Sequence, residues 1–77
     1  MIYEAIAKRQ PYKPDVVLFY DEDRKQTIKF LHQYRRQHGY SVKDSMGTFT
    51  VRDLILRERT TTGEIISEVP YRELEGK

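Results

Sequence analysis

The sequence has no cysteine and no tryptophan, and only four glycines and three prolines. Without cysteine there are no disulfide staples, no thiolate nucleophile, and no Cys ligands for zinc or an iron–sulfur cluster. A small domain that folds without staples fits a reducing compartment, so a cytoplasmic location is expected. Gly39, Gly47, Gly63 and Gly76 stand apart from one another, which excludes a glycine-rich phosphate loop. Long apolar runs are also missing. The longest, Val16 to Tyr20, falls far short of the roughly 18 residues a membrane-crossing helix needs. Met1-Ile2-Tyr3-Glu4-Ala5-Ile6 lacks the basic-then-apolar order of a secretory signal, so export is not expected.

What is present is a short chain of 77 residues, enough for one domain. Its unfolded surface is only about 60% buried on folding, so the core is small. Ile, Leu, Val and Phe make up about a quarter of the chain, above the roughly 20% below which disorder is expected. Lys and Arg number 14 against 12 Asp and Glu, a net charge of +2. Charged residues form 34% of the sequence with the signs interspersed.

The residue pattern predicts a strand over Ile2 to Ala7, then a connection punctuated by Pro11 and Pro14. Val16 to Tyr20 is β-branched and aromatic, and too short for a buried helix. It reads as a strand apolar on both faces. Asp21-Glu22-Asp23 opens a helix that runs to about His38, with Asp21 or Asp23 as the cap, capping-box spacing from Asp23 to Gln26, and Gly39 as the stop. Thr27, Ile28, Phe30, Leu31 and Tyr34 share one side of it. Ser41 to Gly47 reads as a loop. Thr48 to Arg59 reads as one long strand whose alternation slips at Arg52-Asp53, where a bulge would restore a common apolar face. Thr61-Thr62-Gly63 fits a hairpin loop leading into a strand from Glu64 to Val69 that Pro70 stops. Arg57 and Arg59 then face a strand carrying Glu64 and Glu68, so cross-strand charge pairs are available. The expected fold is a small α+β domain over residues 1–70, in β-β-α-β-β order. One helix packs on one face of an antiparallel or mixed sheet, and residues 71–77 form a polar, frayed tail.

Val16 to Asp23, an apolar strand delivering Asp21-Glu22-Asp23, resembles the first motif of haloacid-dehalogenase-type phosphotransferases. That resemblance implies an Asp nucleophile and magnesium held by both aspartates. It covers about eight residues and breaks at Lys25, where the motif has Thr or Val, and the chain has no room for the remaining motifs. The acids therefore read as helix caps. The same strand before a helix is similar to the opening of thioredoxin-like proteins, whose redox chemistry needs a Cys-x-x-Cys that is absent here. His32 and His38 lie about 240° apart around the helix and cannot share a metal. Ser41, Ser45 and Ser67 have no nucleophile-elbow motif around them. The chain is thus expected to be no enzyme, with no cofactor, no membrane partner and no small-molecule substrate.

Two binding readings remain. The leading one is contact with another protein or with a second copy as a homodimer, because one helix covers only one face of a sheet. Val17 and Phe19, pointing away from Val16, Leu18 and Tyr20, would join Ile65 and Ile66 on an uncovered apolar face. The exposed edge of the Thr48 to Arg59 strand offers a second route. The alternative is nucleic-acid binding by Lys25, Lys29, His32, Arg35 and Arg36 along the outer helix side, with Tyr34 and Tyr40 near enough to stack on bases.

Overall fold

The structure, a computed structural model, describes residues 1–8, 14–44 and 47–74. It is an α+β domain with the elements β1 (Ile2–Lys8), β2 (Val16–Asp21), α1 (Arg24–His38), β3 (Ser41–Asp44), β4 (Gly47–Thr50), β5 (Asp53–Arg59) and β6 (Ile65–Pro70), followed by a 3-10 turn at Tyr71–Glu73. Four strands form an antiparallel sheet in the order β2-β1-β5-β6, and β3 pairs with β4 in a separate two-stranded sheet. Pro11 and most of the connection before β2 lie outside the described residues.

The helix begins where the acids predict. Asp23 is the N-cap and accepts from the Lys25 amide at 2.9 Å, while Asp21 accepts from the Asp23 amide at 2.7 Å. The cap therefore uses Lys25 rather than the capping-box partner Gln26. At the other end Gly39 has φ +63°, a conformation that favours glycine, and its N–H closes on the Arg35 carbonyl at 3.0 Å. The basic last turn, Arg35, Arg36 and His38, sits at the negative end of the helix dipole.

α1 packs chiefly on β1 and β2. Ala5 and Ala7 of β1 are small and fully buried, which lets the helix approach and seat Ile28 and Leu31 among Val42, Val51, Leu54 and Leu56. Thr27 is buried with them and returns its hydroxyl to the Asp23 carbonyl at 3.2 Å.

Three local expectations are corrected. Within the loop expected over Ser41 to Gly47, Ser41–Asp44 form a strand that pairs with Gly47–Thr50, with Val42 opposite Phe49. The long strand expected from Thr48 to Arg59 is two strands in two sheets. Between them the Val51 N–H donates to Tyr40 and the Arg52 N–H to Lys8, at 2.8 and 3.0 Å. Changing sheets, rather than bulging, brings both Phe49/Val51 and Leu54/Leu56 onto one core. Finally, the first part of the polar tail is folded down: Tyr71–Glu73 form the 3-10 turn and Leu74 is buried in the core. Residues 75–77 lie outside the described residues.

β2 carries a bulge that the residue alternation conceals. Phe19 pairs with Ala5 and Val17 with Ile6, leaving Leu18 as the extra residue. Val16, Leu18 and Phe19 consequently pack toward the helix, while Val17 and Tyr20 turn away from it. Phe19 does not share the face of Val17, contrary to the strict two-residue alternation.

Candidate functional site

The sheet face opposite the helix is not a continuous apolar surface. Ile6 and Ile55 oppose each other at its centre and are buried. Beside them Arg57, also buried, donates through Nε to Glu68 at 2.6 Å and through Nη2 to Asp15 at 2.7 Å. Burial works against the Arg57 charge, but the two carboxylates outweigh it and hold its pKa above the ordinary value. Arg59 reaches across to Glu4 at 2.6 Å, not to Glu64, and donates to the Gly63 carbonyl at 2.7 Å. This ionic band divides the face.

The four residues expected to form one apolar surface are therefore not brought together. Val17 is exposed on β2 at one margin of the sheet, and Ile65 and Ile66 are exposed on β6 at the other. Three strand spacings, roughly 14 Å, separate the margins. Phe19 lies on the helix side, stacked on Phe30 with ring centroids 4.7 Å apart and planes 9° apart. That stack begins an aromatic file, which continues from Phe30 to Tyr34 at 5.8 Å and from Tyr34 to His38 at 4.7 Å.

The two outer strands differ in how they are guarded. β6 carries Glu68 and ends at Pro70, and its pairing with β5 is irregular beside Ile66. Charges, proline and bulges are the usual protections of an open edge. Residues 16–20 of β2 contain neither charge nor proline, and Val17 and Tyr20 there are 48% and 69% exposed. On the side of α1 that borders this strand Phe30 stacks on Phe19, and at about 100° per residue Gln26, Gln37 and Tyr34 lie closest to Phe30, while Gln33 points outward beside Lys29. Tyr20 and the three glutamines were not singled out by the sequence. The glutamine spacing was readable on a helical projection, whereas the bulge that exposes Tyr20 leaves no mark in the alternation.

The basic helix side is also redistributed. Lys25, Lys29 and Arg36 project outward and, among the described residues, have no ion pair, whereas Arg57, Arg59 and Arg72 are all paired with acids. Arg35 leaves the stripe and lies over the Tyr40 ring at 4.8 Å. His32 turns toward the 3-10 turn, its Nδ1 3.1 Å from the Tyr71 hydroxyl and its ring edge-on to Tyr71. Tyr34 is tied down as well, donating to the Ser41 carbonyl at 2.8 Å, and burial raises its pKa. Neither Tyr34 nor Tyr40 stands free to stack on a base.

Asp21 and Asp23 are used by backbone amides, and no cluster of three or more His, Asp or Glu suited to a metal occurs among the described residues. No helix is long and apolar enough to cross a membrane. Comparisons with protein-family models, with curated proteins and with solved structures found no match to this chain.

Proposed function

We propose that this chain is a non-enzymatic interaction module that joins another polypeptide by strand addition at the β2 margin of its sheet. The observation that carries the reading is the contrast between the two outer strands. β2 offers five uncharged residues with Val17 and Tyr20 exposed, while β6 is guarded by Glu68 and Pro70. In strand addition the main chain supplies affinity and the flanking side chains supply selectivity, and this margin has both. The test is affinity capture from cells that express the protein naturally. The tagged chain should retain a polypeptide, either a different protein or an untagged copy, and Val17→Lys with Tyr20→Lys should lose it. Equal recovery by both forms overturns the reading.

A second reading, nucleic-acid binding, rests on Lys25, Lys29 and Arg36, which have no ion pair among the described residues. Three phosphate contacts give a shallow salt dependence, with a slope of log affinity on log salt near −0.9 per contact, about −3 in all. Titration of generic duplex DNA and single-stranded RNA at two salt concentrations measures it. Binding that Lys29→Glu with Arg36→Glu leaves unaltered removes the helix from that role.

A further inference from the structure

We propose that His32 and the 3-10 turn form a proton-operated clasp: uptake of a proton by His32 releases Tyr71–Leu74 from the core while the sheet stays folded.

The geometry at the ring carries this. Nδ1 of His32 lies 3.1 Å from the Tyr71 hydroxyl, and the two rings meet edge-on at 74° with centroids 5.5 Å apart. Nε2 is buried and, among the described residues, has no hydrogen-bond partner. A neutral imidazole tolerates this arrangement, because Nδ1–H can donate to Tyr71 and leave Nε2 a bare lone pair. An imidazolium does not. Both of its nitrogens carry N–H, so Nε2 becomes a dry, unpaired donor on a charged ring.

The charges around the ring are predominantly positive. On the helix, at about 100° per residue, Lys25, Lys29 and Arg36 share the flank of His32, and Arg35 leans over Tyr40. The turn contributes Tyr71, Arg72 and the solvent-exposed Glu73, with Arg72 held by Asp53 at the start of β5, 3.2 Å away. β5 turns Leu54 and Leu56 toward the helix, and its Glu58 bonds Tyr3 of β1. Arg57 and Glu68 are bonded to each other on the opposite face of the sheet, and Asp21 of β2 accepts the Asp23 amide.

What the clasp holds is Leu74. It is 3% exposed in the core, and its N–H closes the turn on the Tyr71 carbonyl at 3.0 Å. The other printed tie of the turn, Arg72 to Asp53, has a largely solvated guanidinium and holds weakly by itself. Opening withdraws Leu74 and uncovers its apolar seat beside β5.

Hydrogen exchange of the whole chain, followed by NMR at about pH 7.5 and about pH 5.5, spans the interval in which imidazoles take up a proton. With rates corrected for their intrinsic pH dependence, the Leu74 amide should lose about tenfold in protection at the lower pH, the factor that one unpaired buried donor implies. There it should exchange ahead of the Ala5 and Ala7 amides of β1. The His32 and Tyr71 ring signals should shift over the same interval. His32→Phe keeps an edge-on ring without a titrating nitrogen, so its Leu74 protection should be equal at both pH values. His38→Gln changes the only other histidine and should respond as the wild type does. Leu74 protection that ignores pH, or a response that persists in His32→Phe or vanishes in His38→Gln, overturns the clasp. So does Leu74 exchange no faster than that of β1. Should His32→Phe fail to fold, ring signals of the wild type that stay put while Leu74 opens overturn it equally.

Discussion

Arg57 shows how a single side chain can hold three segments together. It joins β5 to Glu68 of β6 and to Asp15 before β2, from a nearly water-free position. Removing one member of a buried ionic cluster leaves the others desolvated and unpaired, at a cost of about 3–5 kcal/mol when burial is complete. Asp15 and Glu68 retain some contact with water, so Arg57→Ala should lower the unfolding free energy by about 2–3 kcal/mol. Urea denaturation would register this as a lower midpoint with an unchanged slope. Two tyrosines set the alkaline limit. Tyr3 has a raised pKa, first through its hydrogen bond with Glu58 and then through burial, and Tyr34 has one through burial. Because the native state holds these protons more tightly than the unfolded chain, their contribution is complete below about pH 10. It is lost as pH rises through the raised native values. The melting temperature should accordingly fall above about pH 10, and Tyr34→Phe should make that fall shallower. Tyr34→Phe also gives up the bond to Ser41, which lowers stability at every pH.

At the scale of elements, the last turn is the clearest departure from what polarity alone implies. Leu74 is buried and follows a turn anchored by Tyr71 against His32, and by Arg72 against Asp53 at 3.2 Å. Leu74→Ala should cost about 2–3 kcal/mol in denaturant unfolding, a loss that a frayed end would not produce. The helix was legible because its signals are local: an acidic cap at Asp23, one apolar side, and a glycine at position 39. β1, β2 and the β5–β6 hairpin were legible from short apolar runs and the Thr61-Thr62-Gly63 turn. The β3–β4 hairpin was not, because each strand turns one apolar residue, Val42 or Phe49, inward amid polar neighbours. The faces of β2 were misread for a related reason. The bulge at Leu18 is decided by pairing with Ala5 and Ile6 across the sheet, information that no single strand contains. Of the candidate surface residues, Val17, Ile65 and Ile66 are exposed, but strand order decides that they do not meet.

For the molecule as a whole, strand order predicts how it opens. β1 and β5 are flanked on both sides within the sheet, and the core side chains Ala5, Ala7, Leu54 and Leu56 come from them. Their amides should be the slowest to exchange with deuterium, approaching the global unfolding limit, while the amides of β3 and β4 exchange sooner. Exchange that is equally slow in both sheets would mean that the small hairpin opens only when everything does. Charge is distributed as unevenly as protection. The sheet arginines Arg57 and Arg59 are matched by acids, whereas Lys25, Lys29 and Arg36 on the outer helix side have no ion pair among the described residues. The molecule thus has an electrical handle that its net charge of +2 understates. On a negatively charged chromatographic support it would land helix first and be held by these three cations acting together. Both outer strands of the sheet would then stand clear of the support, so immobilisation by adsorption would leave either margin open to a passing strand.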